Sequence, residues 1–172
     1  MKKIVLTLII SFLTFFANAQ SAKPTKEQTI EYISNTLKDY GSHWVSEDGS
    51  SGTKEIVDID FSGFVLTVTI NYFYKYFDQD KKFYSEYSIN LNEIEKVEIR
   101  EERRGVYMLD LYSFNSKKLF KNKTNSDYEG IKQPESIDYK SIISIPAPND
   151  EKLVQAFNHL RKLCGAPEPI KF

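Results

Sequence analysis

The stretch FVLTVTINYFYKYF, residues 64–77, decides the fold class. Phe64, Leu66, Val68, Ile70, Tyr72, Tyr74 and Tyr76 alternate with Val65, Thr67, Thr69, Asn71, Phe73, Lys75 and Phe77. Strict alternation of this length is the mark of a β-strand with one face on a core. β-branched and aromatic residues suit such a pleated surface. The reverse face is polar apart from Val65, Phe73 and Phe77.

Further alternating segments lie on both sides. Residues 55–61 place Val57, Ile59 and Phe61 opposite Ile56 and Asp58, with Ser62-Gly63 as a turn. Residues 83–91 carry Phe83, Tyr87, Ile89 and Leu91 in phase. Pairing 64–77 with 83–91 across a loop Gln79–Lys82 predicts Tyr74 opposite Tyr87, Tyr72 opposite Ile89 and Ile70 opposite Leu91. On the reverse face it sets Lys75 against Glu86 and Phe77 against Tyr84. Strands 95–102 and 106–114 are expected to form a hairpin around the loop Arg103-Arg104-Gly105. Its register sets Glu102 opposite Val106, Ile99 opposite Leu109 and Val97 opposite Leu111. Residues 46–54 and 115–136 read as polar loops, and 137–145 as a last strand closed by Pro146 and Pro148.

Helices flank the strands. Thr25 and Gln28 form a capping-box pattern ahead of Ile30, Ile33, Leu37 and Tyr40, predicting a helix over 26–40 with Gly41 as its stop. Asn149 or Asp150 caps a second helix whose apolar stripe is Leu153, Ala156, Phe157, Leu160, Leu163 and Cys164, ended by Gly165. Runs of strands without intervening helices point to an antiparallel α+β fold. The expected architecture is an N-terminal helix, a strongly curved sheet or barrel of about six to seven strands, and a C-terminal amphipathic helix. The strand run 55–145 followed by the closing helix Asn149–Gly165 resembles pleckstrin-homology-like barrel domains in architecture. Such barrels often bind phosphoinositides or peptides, but the resemblance transfers no ligand residue to this chain. A half-barrel with a helix packed across a curved sheet is the alternative.

The N-terminus speaks about address. Lys2 and Lys3 precede an apolar run from Ile4 to Phe16, and Ala17-Asn18-Ala19 is a small-residue cleavage pattern. Residues 1–19 therefore read as a secretory signal peptide, too short in its apolar core to span a bilayer. The expectation is an exported, soluble protein, periplasmic or extracellular, with residues 20–172 as a single globular domain and no transmembrane segment once the signal is removed. Cleavage takes two lysines and no acid from a chain of net charge −1, leaving −3. That balance argues against nucleic acid as a partner. A single cysteine, Cys164, rules out an internal disulfide, and its place on the helix stripe reads as core.

Chemistry-bearing residues are sparse. Asp58 and Asp60 share one strand face, too few ligands for a metal site. His43 and His159 are the only histidines, and neither stands in a nucleophile–base pattern. Lys117, Lys118, Lys121 and Lys123 crowd the polar segment, which reads as solvated. No cofactor motif is present. The unusual feature is the outward set Phe73, Phe77 and Tyr84, an aromatic patch on a sheet face and the candidate binding surface. Cover by the first helix or by residues 115–136 is the competing reading. The high overall aromatic content suits a β-rich core; a carbohydrate-binding role would also use aromatics, but a core uses them more often. The function expected is a noncatalytic binding or interaction module for a protein or small-molecule ligand. The alternatives are a small exported hydrolase using His43 or His159, and a subunit of a cell-envelope assembly.

Overall fold

A computed structural model describes residues 23–46, 49–76, 79–128 and 131–168. The predicted signal peptide, and Phe77 of the aromatic patch, lie outside the described residues. The fold is α+β: among the described residues, two helices and ten antiparallel strands in sheets of seven and three. Among the described residues no ladder joins the two sheets, so the barrel alternative is corrected to two sheets sharing one core. No described helix is long and apolar enough to cross a membrane.

Helix α1, Lys26–Leu37, starts on the predicted capping box: Thr25 Oγ1 accepts from the Gln28 N–H, and Gln28 Oε1 accepts from the Thr25 N–H. It stops earlier than expected because Asp39 turns left-handed at φ 56°, which frees Gly41 to open a strand that the sequence concealed, β1, Gly41–Val45.

β2 (Ser51–Ser62), β3 (Val65–Tyr76) and β4 (Gln79–Asn90) then meander beside β1. Leu66, Val68 and Ile70 are fully buried, as their phase requires. β2 begins four residues inside the expected loop 46–54 and carries a bulge between Ile56 and Asp58. The bulge resets the phase, so Ile56 faces the core, Val57 faces outward and Ile59 returns to the core side. The β3–β4 register also differs from expectation. Pairing continues to Tyr76 opposite Gln79, setting Tyr72 opposite Phe83, Val68 opposite Tyr87 and Lys75 opposite Asp80, not Glu86. This register slides the partner strand by an even number of residues from the expected one, so every side chain keeps its face. The Tyr72 and Phe83 rings stack at 4.5 Å, and the Tyr72 and Tyr87 hydroxyls meet at 3.1 Å.

β5 (Ile94–Arg103) and β6 (Val106–Ser113) pair as expected through their core rows, Ile99 with Leu109 and Val97 with Leu111. At the tip a bulge at Glu102 moves Arg103 opposite Val106 and shortens the loop to Arg104-Gly105, with Gly105 at φ 75°. β5 is an edge strand protected by alternating charges at Lys96, Glu98 and Arg100. On the central strand β6, Asp110 is 2 % exposed and accepts from Arg100 Nε at 2.7 Å.

The segment read as an irregular loop contains β7 (Phe120–Tyr128) and the short β8 (Ile131–Lys132). β7 lacks an apolar period because only its first inward residue, Phe120, is a buried hydrophobe. Polar pairs serve instead: Asn122 donates to Asp138 at 2.8 Å, the Thr124 and Ser136 hydroxyls lie 2.9 Å apart, and Lys123 pairs with Glu135 at 2.9 Å. The expected last strand is two, β9 (Ser136–Lys140) on β7 and β10 (Ile142–Pro146) on β6, divided by a bend at Ser141. One short segment thus edges both sheets.

Helix α2, Glu151–Leu163, is capped by Asp150, whose carboxylate accepts from the Lys152 N–H at 2.9 Å. Leu153, Phe157 and Leu160 are completely buried and share the core with both sheets and α1. Cys164 is buried too, and its burial pushes the thiol pKa up. Arg161 is wholly buried, donating to the carbonyls of Ile94 and Pro167.

Candidate functional site

The candidate site is assembled by register across five strands, β2, β3, β4, β7 and β8. Residues directly opposed in a sheet share a face, so the ladders lay out rows on the side away from Leu66, Val68 and Ile70. One row runs Thr53–Phe73–Lys82–Asp127–Lys132, and the next runs Glu55–Asn71–Tyr84–Asn125. Phe73 and Tyr84 are diagonal neighbours on this face, both half-buried, with Asn71 and Asn125 exposed beside them. Together the rows line an open groove of about 520 Å³. Neither described helix covers it: the buried residues of α1 and α2 join the core on the opposite side. β7 lies beside the patch in the plane of the sheet and contributes Asn125 and Asp127 to it.

The chemistry of the groove is mixed and balanced. Lys82 Nζ sits 5.7 Å from the Phe73 ring centroid, within cation–π range. The Tyr84 hydroxyl reaches Glu86 at 3.5 Å. Among the described residues the side-chain amides of Asn71 and Asn125 have no hydrogen-bond partner. The charged liners are two acids, Glu55 and Asp127, and two bases, Lys82 and Lys132. The backbone N–H and C=O groups beneath are used in the ladders, so recognition here falls to side chains.

Of the three residues expected in the patch, Phe73 and Tyr84 share the groove and Phe77 lies outside the described residues. Sequence phase alone finds the first two. It misses Asn125 and Asp127 because β7 lacks apolar alternation, and Lys132 because β8 is only two residues long. The only available signal is the weak alternation of Phe120, Asn122, Thr124 and Ser126 with Lys121, Lys123, Asn125 and Asp127.

The other sequence candidates fall elsewhere. Asp58 and Asp60 are exposed on β2, and no cluster of metal-ligating side chains forms among the described residues. His43 is exposed on β1, and His159 contacts the Pro24 carbonyl through Nε2 at 2.7 Å. Neither is hydrogen-bonded to a carboxylate, hydroxyl or thiol among the described residues, the geometry a hydrolase reading needs. Lys121 and Lys123 belong to strand β7, not to a solvated loop.

A second aromatic cluster lies on the core side of the same sheet; phase places Tyr72, Tyr74 and Phe83 there, but not their stacking or the part of Trp44. Tyr72, Tyr74 and Phe83 are stacked within 11° of parallel, and Trp44 tilts against Tyr74 with centroids 6.0 Å apart. The tip of the β5–β6 hairpin closes over it. Arg103 lies 3.9 Å above the Trp44 ring and donates to Ser46 Oγ, and Lys54 pairs with Glu102 at 2.7 Å. Burial, reinforced by the neighbouring Tyr87 hydroxyl, pushes the Tyr72 phenol far up. Arg103 lies over the Trp44 ring and the backbone at Gly52 approaches it closely, so this cluster is a latch between the two sheets. No family model, curated protein or solved structure matches the chain.

Proposed function

We propose that the chain is an exported, noncatalytic binding module that takes its ligand on the outward face of the seven-stranded sheet. One observation carries the reading: the register gathers Phe73, Tyr84 and two unpartnered amides into one open groove facing away from the core. Half-buried rings with a few convergent polar groups are the usual makings of a ligand site. Export rests on the charged start, apolar run and Ala-x-Ala ending of residues 1–19.

A fragment screen read by amide chemical shifts tests the site. Hits are expected to map on β3, β4 and β7 around Phe73 and Tyr84. They should disappear in the Phe73→Ala/Tyr84→Ala variant without loss of its thermal midpoint. Hits confined to the groove between the helices, beside Tyr32 and His159, would refute this placement. Mass spectrometry of exported material tests the address, with Gln20 expected as the first residue and retention of Met1 as the contrary result.

A further inference from the structure

We infer that the ligand of this groove is a short uncharged oligosaccharide, an inference that rests on the binding-module reading above. Three features of the groove select this chemistry. The first is charge. Glu55 and Asp127 balance Lys82 and Lys132 across one surface, so an anion or a cation meets as much repulsion as attraction, whereas a neutral ligand meets none. The second is the pairing of rings with amides. The electron-rich faces of Phe73 and Tyr84 suit the C–H faces of a pyranose. The amides of Asn71 and Asn125 each offer both donors and an acceptor to hydroxyls, and both are unengaged among the described residues.

The third feature is position. The groove lies on the interior strands β3 and β4, flanked by β2 and β7, where main-chain hydrogen bonding is already complete. An extended peptide is normally captured by the free backbone of an edge strand, and this face offers none. A sugar needs no such edge, because its hydroxyls are read by side-chain tips. A groove of about 520 Å³ falls in the range of small-ligand sites. Lys82, resting over Phe73 in the free protein, must swing aside or donate to a hydroxyl when the ring is covered.

The test is a calorimetric titration with maltohexaose, cellohexaose, xylohexaose and chitotetraose, beside trigalacturonic acid and a chitosan oligomer as charged controls, each to about 10 mM. At least one neutral sugar is expected to bind, more tightly than either charged control. Phe73→Ala and Tyr84→Ala should each weaken that binding by about tenfold or more, and Asn125→Ala should weaken it while leaving the thermal midpoint unchanged. Three outcomes overturn the inference: no neutral sugar binds, the charged controls bind more tightly, or binding ignores Phe73 and Tyr84. The fragment screen separates the two levels of failure. Fragments in the groove without sugar binding remove the ligand class alone, and an empty groove in both experiments removes the binding-module reading as well.

Discussion

Replacing Gly52 by alanine should unseat the latch that joins the two sheets. A Cβ built on Gly52 falls 2.7 Å from Cε2, Cζ2 and Nε1 of Trp44. Carbon contacts settle near 3.5–4.0 Å, so the indole must retreat by about 1 Å. Arg103, 3.9 Å above the ring and bonded to Ser46, stands in the way. Overpacking of this kind costs about 1–3 kcal/mol, and a displaced cation–π contact adds about 0.5–1. Gly52 lies outside the left-handed region, so the usual gain of about 0.5–1 kcal/mol for Gly→Ala offsets part of the loss. The net expectation is a destabilisation of about 1–3 kcal/mol, or roughly 2–10 °C in Tm for a chain of this size. Urea unfolding followed by far-UV circular dichroism measures it. Trp44 is the one tryptophan, so its emission reports the site directly and should move to the red. In a Trp44→Ala background the same glycine substitution should become neutral or stabilising, giving a coupling of about 1 kcal/mol or more. Equal costs in both backgrounds, or a neutral Gly52→Ala in the parent, would refute the close-approach argument.

Phe157 is wholly buried between α2 and the core, and Phe157→Ala should cost about 3–5 kcal/mol in urea unfolding; a loss under about 1 kcal/mol contradicts its core role. Glu102→Ala leaves the Lys54 ammonium in a nearly closed site without its partner and should cost about 1–3 kcal/mol. Adding Lys54→Met should recover part of that loss, and no recovery would mean that the pair itself is immaterial. Acid should weaken the fold through carboxylates held below their ordinary range. Lys140 and then Asn122 hold Asp138 down by hydrogen bonding, and the Tyr32 hydroxyl and then the Lys152 N–H hold Asp150 down. A depressed folded pKa stabilises the protein above the unfolded value, about 3.9, and that contribution is lost as pH falls through the folded value. Thermal midpoints should therefore hold from pH 7 to 5 and drop below about pH 4, with a smaller drop in Asp138→Asn/Asp150→Asn; an unchanged drop would assign acid sensitivity elsewhere.

Much of this molecule is legible wherever burial imposes a period. The stripe Leu153, Phe157, Leu160 and Cys164, the capping box at Thr25 and Gln28, and the rows Val97–Leu111 and Ile99–Leu109 all follow from side-chain phase. Illegible features are those decided by backbone partners. β7 is held by polar cross-strand pairs, β1 is too short to show a period, and the bulge near Val57 costs the sequence no turn residue. The β3–β4 register escapes for a related reason: sliding by an even number of residues preserves both faces, so hydrophobic phase cannot choose between two registers that differ by such a slide. The same limit applies at the groove. Phase placed Phe73 and Tyr84 on the outward face, whereas their polar neighbours depend on a strand some forty residues downstream.

The bend at Ser141 has a kinetic consequence. β9 completes the free edge of β7, and β10 completes the free edge of β6. β1 to β4 pair with chain neighbours and can form as soon as they are synthesised, but neither sheet is finished until residues 136–146 arrive. The edges of β6 and β7 therefore stay open until these residues arrive, and a single late docking event seals both. The β10–β6 pairing joins residues about thirty apart and is the slower of the two, and unpaired edges invite association between chains in the interval. A chain ending at Glu135 should accordingly aggregate rather than fold to a smaller domain, which makes the last quarter of the polypeptide the step that commits the whole to its native state.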